Sequence, residues 1–426
     1  MREMKDSGVV WIGEIPSMWP TVQLGSIFSE HKHKNTGMQS NNLLSLSYGN
    51  IVRKDINTLD GLLPESFEGY NVIGPGDIVL RLTDLQNDQR SLRVGICQER
   101  GIVTSAYVTL RLRDFSMNSL FFYYLIHSYD IRKGFYGMGA GVRQGLNYAG
   151  IKKIMLPVPP LAEQKLISGF LLEQETKVGK LIANVQSQIE KLKAYKQSLI
   201  TEAVTKGLDP TVPMKDSGIE WIGKIPEDWE VKPLLREIET IVDYRGKTPE
   251  KVDEGILLVT ARNIKDGRID YDISREYVKP EEYDQIMHRG RLNIGDLLFT
   301  TEAPLGAVAN VDRTDFALAQ RIIKFSTKAS MNPYYLKYWM LSPIFQQHLK
   351  SYATGSTASG IKASKLCLLQ LVRPPREEQD TLASELDRKC SQIDRLIAIK
   401  QAKIEKLEQY KRSLIYEYVT GKKEVS

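Results

Sequence analysis

IEKLKAYKQSLITEAVTKG occupies Ile189–Gly207, and IEKLEQYKRSLIYEYVTGK occupies Ile404–Lys422, the same pattern 215 positions later. Apolar residues fall mostly three or four apart, with Lys, Glu and Gln filling the other faces, which is the narrow stripe of a coiled-coil helix. Upstream of each copy a proline pair precedes Glu-Gln: PPLAEQ at Pro159–Gln164 and PPREEQ at Pro374–Gln379. Proline is tolerated at a helix start and acidic residues favour the first turn, so each pair opens a helix. The stripe continues through Leu166, Phe170, Leu181, Val185, Leu192, Leu199 and Val204 in the first copy. In the second it runs through Leu382, Leu386, Ile393, Leu396, Ile397, Leu407, Leu414 and Val419. Each helix then covers roughly 40 to 45 residues, about 60 to 70 Å at 1.5 Å per residue. Neither is stable alone and each is the other's obvious partner, so the two are expected to pack side by side. Gly179 marks a local break or bend in the first.

The repetition extends along the whole chain. MKDSGVVWIGEIPSMW (Met4–Trp19) returns as MKDSGIEWIGKIPEDW (Met214–Trp229), GPGDIVL (Gly74–Leu80) as NIGDLLF (Asn293–Phe299), and MNSLFFYYL (Met117–Leu125) as MNPYYLKYW (Met331–Trp339). The edges of each repeat agree, whereas the middles, about 21–110 and 231–323, diverge. A framework kept while its middle varies is the pattern of two copies that read different things. GDIVLRL, GIVTSAYVTLRLR, GILLVTARNI, GDLLFTT and AVANVD are short β-branched runs between turn residues and read as strands. A helix closes each domain, around 118–133 and 332–351. In the doubled motif, Trp11, Trp19, Trp221 and Trp229 are expected to be packing anchors rather than base stackers.

At 426 residues, 42% apolar and 26% charged, the chain suits two domains of an ordinary globular protein. No apolar run reaches the roughly 18 residues of a membrane span. MREMKDSG at the N-terminus has no apolar signal region, so a cytoplasmic location is expected. Cys97, Cys367 and Cys390 lack metal-ligand spacing and their odd number disfavours a disulfide framework. The net charge of +6 permits a nucleic-acid partner without establishing one.

Motifs for catalysis fail on inspection. RGKT (Arg245–Thr248) has Ile241 where a phosphate loop needs glycine. NPYY (Asn332–Tyr335) resembles an amino-methyltransferase motif but lacks its second proline, and a capping Asn before proline explains it. GMGAGVRQG (Gly137–Gly145) follows a helix rather than a strand, which disfavours a dinucleotide loop. His31 and His33 lack partners at metal spacing. No catalytic residue and no metal site is expected.

Several loops instead combine Arg or Lys with Asn and Gln, whose donors and acceptors match guanine and adenine edges. The candidate DNA-binding residues of the first domain are Lys32, His33, Lys34, Asn35, Arg81, Gln86, Asn87, Gln89, Arg90, Arg93, Arg143 and Gln144. Those of the second are Arg245, Lys247, Arg262, Asn263, Lys265, Arg268, Ser356, Thr357 and Lys362.

With the PP-x-x-EQ helices, the GD-[IL] strands and the doubled D-S-G-x-x-W-I-G-x-I-P motif, the chain resembles a type I restriction-modification specificity subunit along essentially its full length. The resemblance implies an α+β fold: two similar mixed α/β target-recognition domains joined by two long antiparallel coiled-coil helices, with a pseudo-two-fold internal repeat. The expected divisions are 1–159 and 208–374 for the recognition domains, and 160–207 and 375–426 for the spacer helices. Each domain would read one half of a bipartite, asymmetric double-stranded DNA target, with the helix pair fixing the gap. The resemblance also implies two modification (methyltransferase) subunits, which carry S-adenosylmethionine, and restriction (translocase/nuclease) subunits. No cofactor is expected in this chain and no membrane association. The competing readings are a stand-alone DNA methyltransferase or nuclease, and a coiled-coil assembly scaffold without DNA specificity.

Overall fold

The computed structural model describes residues 2–425, apart from 58–63, 65, 86–87, 89–90, 139–144, 245–248 and 356–358. The chain divides into two compact units, Met1–Gln186 with Ala402–Ser426, and Ser187–Gln401. Both long helices are therefore shared, each contributing one part to each unit.

Unit 1 is built on a four-stranded antiparallel sheet of β1 (Phe28–Glu30), β2 (Ile78–Leu80), β3 (Val94–Ile96) and β4 (Val108–Leu112), in the order β1-β4-β2-β3. Unit 2 repeats it with β5 (Ile238–Asp243), β6 (Leu297–Thr300), β7 (Val308–Asn310) and β8 (Ile322–Thr327), in the order β5-β8-β6-β7. The GD-[IL] strands are the central β2 and β6. Every residue of both is buried, because the sheet is covered on both faces. Leu297 and Phe299 enter one apolar cluster while Leu298, pointing the other way, enters a second. That double burial is why these strands read as continuous apolar runs rather than alternating ones.

The aspartate of each GD pair has a matching task. Arg111 of β4 donates to both oxygens of Asp77, at 2.7 and 2.6 Å. In β8 the position equivalent to Arg111 is Ser326, which donates to Asp296 at 2.7 Å, and Lys324, two residues earlier on the same face, donates to Asp296 at 2.9 Å and to the Arg291 carbonyl at 2.7 Å. The elements beyond the sheet differ, as the divergent middles require. Unit 1 adds the hairpin Leu44–Ser47/Asn50–Arg53 and the pair Asn71–Ile73/Gly101–Val103. Unit 2 adds Ile256–Val259, which pairs antiparallel with Tyr277–Val278 and parallel with Phe316–Leu318.

Helix α1 (Ser119–Ile131) starts at Asn118, whose side chain accepts the Phe121 N–H at 2.9 Å. Asn332 does the same for α3 (Pro333–Leu341), accepting from Tyr334 and Tyr335, so NPYY is a helix start. The single helix expected over 332–351 is two: Ser342 caps a second one, α4 (Pro343–Ser351), because Pro343 cannot continue α3.

The long helices are α2 (Leu161–Lys206) and α5 (Arg376–Val419). Gly179 lies inside an unbroken α2, so the break expected there is absent. In unit 1 they run antiparallel, Phe170 meeting Tyr418 at 4.6 Å between ring centres and Glu175 lying 3.8 Å from Lys411. In unit 2, Gln188 meets Lys400 at 2.6 Å and Asp394 meets Lys196 at 2.8 Å. The buried stripe of α2 is Ile167, Leu171, Val178, Val185, Ile189, Ile200 and Val204. Leu166, Leu181 and Leu396, assigned to the stripes from spacing, are about half exposed at 54%, 48% and 48%. Spacing names the helix, but the neighbours decide which of two adjacent apolar residues turns inward.

The doubled motif and PP-x-x-EQ meet in space. Trp19 and Trp229 are buried, and their indole N–H groups donate to Glu163 at 2.9 Å and Glu378 at 2.8 Å. The next residue closes the joint: Gln164 accepts the Asn118 N–H and Gln379 accepts the Asn332 N–H, at 3.0 and 2.8 Å. Each long helix is thereby locked by its first turn to both the entry motif and the capped closing helix of one unit. Trp11 packs on Tyr129 at 5.0 Å and Trp221 stacks on His348 at 4.0 Å, so all four tryptophans are packing anchors.

Candidate nucleic-acid interface

In unit 1 the loop from Arg81 to Arg93 joins β2 to β3, and a second candidate segment ends at Gly145. The Leu146 N–H donates to the Leu82 carbonyl at 2.8 Å, which draws the two segments together. Lys32 and Lys34 are exposed; Lys32 lies 2.9 Å from Glu30, and Lys34 donates to the Gly69 carbonyl at 2.8 Å. His33 is exposed with a ring nitrogen 3.1 Å from Gln39 Oε1. Arg81 is half-buried. Gln86, Asn87, Gln89, Arg90, Arg143 and Gln144 lie outside the described residues.

Three expected contact residues are corrected by burial. Asn35 is wholly buried, its amide donating to the Ser40 and Phe67 carbonyls at 2.9 and 3.3 Å, so it braces a turn. Asn263 is wholly buried in a capping box with Thr260 and donates to the Asp270 carbonyl at 2.8 Å. Arg93 is wholly buried and spends its guanidinium on backbone carbonyls of its own loop. Residue type suggested recognition, but a side chain whose donors are consumed inside the protein cannot present them to a base.

In unit 2, Arg262 and Lys265 are exposed on and beside the hairpin Ile264–Lys265/Arg268–Ile269. Arg268 is exposed but pairs at 2.7 Å with Asp394 of α5, which also holds Lys196. A groove of about 460 Å³ lies here, lined by Lys193, Lys196 and Gln197 on one side and by Lys265 and Pro304–Ala307 on the other. Exposed Lys362 sits at a smaller hollow of about 220 Å³ with Thr301, Glu302, Arg321 and Thr354. Bridges from Gly360 to Glu302 and to Thr354 bring those two ends of the TGSTASGIK stretch to the 301–307 loop. That loop stands between groove and hollow. Arg321, which pairs with Glu302 at 2.6 Å, was not singled out from sequence because Gln320 and Arg321 sit between the apolar runs Ala317–Ala319 and Ile322–Ile323 rather than in a polar loop. Arg245, Lys247, Ser356 and Thr357 lie outside the described residues.

Buried titratable groups face the core rather than any cleft. Burial pushes the Cys97 thiol up to about 11, the direction opposite to a reactive nucleophile. Burial, reinforced by Lys411 and Arg412, pushes His127 down to about 4. The unfolded imidazole takes its proton near 6.5 while the folded one resists until about 4, so stability is lost as pH falls through that window. The wild type should lose about 3 kcal/mol relative to His127→Gln between pH 7 and pH 4. Urea denaturation of both at each pH reads this difference, and Asp130, raised to about 6 by its own burial, cancels from the comparison. Among the described residues no group of His, Cys, Asp and Glu is placed to hold a metal ion, and no helix is long and apolar enough to cross a membrane.

The comparisons agree with one another. The type I restriction modification DNA specificity domain matches residues 226–409. The chain is 26% identical to the MjaVIII type I restriction enzyme specificity subunit of Methanocaldococcus jannaschii, over 96% of this chain and 93% of that one. It is 24% identical to the EcoBI specificity subunit of Escherichia coli, over 70% of this chain and 64% of that one. A solved chain from a type I R-M system, studied for complex assembly and conformational transition, shares the fold with a TM-score of 0.67 at 14% identity, covering 96% and 99%. The second half of the chain thus matches the type I restriction modification DNA specificity domain, and nearly its whole length is similar to type I restriction enzyme specificity subunits.

Proposed function

We propose that the two units read the two halves of one asymmetric DNA target, unit 1 through the 81–93 and 137–145 segments and unit 2 through the surface around the 301–307 loop. DNA recognition is the role of the family, and catalysis is not assigned to this chain. The observation that carries the reading is the contrast between four-stranded sheets of the same strand order and the unlike loops projecting from them. Equal scaffolds give two readers, and unequal loops give two different half-sites. Exposed Lys32, Lys34, Arg262, Lys265 and Lys362 are assigned to phosphate and base contacts, the former supplying salt-dependent affinity and the latter discrimination.

The chain acts with DNA, modification subunits and restriction subunits. We infer two modification subunits, each carrying S-adenosylmethionine, and a cytoplasmic location, as the family division of labour implies. The readings as a stand-alone methyltransferase or nuclease, and as a scaffold without specificity, are not favoured by the relatives.

The test is to assemble the chain with its modification subunits and map the adenines methylated across random duplexes. One bipartite, non-palindromic site is expected. Uniform modification, or equal affinity for all duplexes, would sink the reading. Removing one turn from either long helix should change the preferred gap between the half-sites.

A further inference from the structure

We propose that Arg93 is a positioning residue for one half-site, a buried clamp that shapes the reading loop of unit 1 without touching DNA; this rests on the function proposed above. Arg93 has 0% exposure. A guanidinium carries five N–H donors in a fixed fork, and every one has an acceptor here. Nε donates to the Tyr136 hydroxyl at 3.0 Å. One terminal nitrogen donates to the Arg81 and Thr83 carbonyls at 3.1 and 2.6 Å, and the other to the carbonyls of Asp84, at 3.2 Å, and Asp88. Four of the five acceptors are thus main-chain carbonyls of the 81–93 loop itself.

The loop needs such a clamp. Asp84 sits in the left-handed region at φ +54°, unusual for a residue with a Cβ, and it is one of the residues Arg93 holds. The clamp is itself pinned: Asp130 of α1 accepts the Arg93 main-chain N–H at 2.6 Å. Tyr136 adds a second connection, since its ring lies under the guanidinium at 5.3 Å and its hydroxyl reaches the Asp88 carbonyl at 3.3 Å. Tyr136 stands just before the second reading segment, so one buried cation contacts both the 81–84 turn and the residue that leads into that segment.

Among the described residues unit 2 has no counterpart. The residue that precedes β7, as Arg93 precedes β3, is Ala307. The shorter 301–307 loop is held instead by Thr300, whose hydroxyl accepts the Ala307 N–H at 2.9 Å, and by Gln346, which donates to the Gly306 carbonyl at 2.8 Å. Loss of the clamp should therefore affect one half-site and spare the other. Lysine cannot replace it, because three donors at one point do not span four carbonyls.

The experiment uses the full chain assembled with modification subunits, as wild type, Arg93→Lys and Tyr136→Phe, on duplex libraries randomised in one half-site at a time. Melting temperature and affinity for non-specific DNA are measured alongside. For Arg93→Lys, discrimination in one half-site should fall roughly 10- to 100-fold, the worth of one or two base contacts, with the other half unchanged. Tyr136→Phe should show the same one-sided loss in weaker form, which keeps the test decisive if Arg93→Lys fails to fold. Unchanged discrimination in both halves, or an even loss across all sequences that tracks melting temperature, would overturn the clamp. A wild type without any bipartite preference would instead overturn the underlying function, so the two failures are told apart.

Discussion

Replacing Lys324 with Met should destabilise unit 2 by about 3–5 kcal/mol. The side chains of Lys324 and Asp296 are only 4% and 5% exposed, between β8 and the start of β6. Asp296 also accepts the Ser326 hydroxyl at 2.7 Å and the Asn293 N–H at 2.9 Å, so the carboxylate is fixed in place and cannot swing into water. Deleting the lysine leaves a buried charge without its counter-ion, which costs far more than the pair itself is worth. The combined change Asp296→Asn with Lys324→Met should recover most of the loss. Arg111→Met in unit 1 should cost less, because the Arg111 side chain is 35% exposed and its loss opens the otherwise buried Asp77, 3% exposed, to water. Urea denaturation of the set reads the ordering. A loss below about 1 kcal/mol for Lys324→Met would place the pair among exposed salt bridges and refute its burial.

Trp229→Ala should cost a similar 3–5 kcal/mol and release the start of α5 from the second entry motif. The indole has no exposed surface and its N–H holds Glu378. It also fills the space beside Gly207, where a Cβ would lie 3.4 Å from the ring and where φ is +80°. One side chain thus contacts the first turn of α5 and the residue that ends α2. Trp229→Phe keeps most of the apolar volume but strands Glu378, whose carboxyl burial already holds above the usual range. Glu378→Gln should be nearly neutral, since the amide oxygen still accepts the indole N–H and no charge is buried. If Trp229→Ala and Glu378→Gln had equal effects, the joint would owe its strength to charge rather than packing. Trp19, Glu163 and Gly421 form the same joint in unit 1, where an added Cβ at Gly421 would collide with Pro16.

Much of this architecture was legible in the residues because a tandem repeat is a one-dimensional signal. The matched edges located both entry motifs, both capping asparagines and both long helices, and a short match within the divergent middles located both GD strands. The capping role of Asn332 followed from a rule that spans three residues. What failed was whatever depends on partners distant in the chain. The salt bridge of Asp77 with Arg111 joins the turn before β2 to β4, and nothing local marks it. Gly179 suggested a break, yet the helix runs unbroken through it.

The candidate site divides along the same line. Polar composition pointed to the loops, and the described loops do lie at the ends of the sheet strands. It could not tell Lys34, which faces water, from Asn35 beside it, which is sealed in a turn. By itself the sequence determined the duplicated plan, since apolar periodicity, proline starts and caps are properties of neighbouring residues. Only the tertiary structure decided which polar side chains remain available to a partner. Burial is a property of what folds over a residue, and Arg93, enclosed by carbonyls of its own loop, is the clearest case.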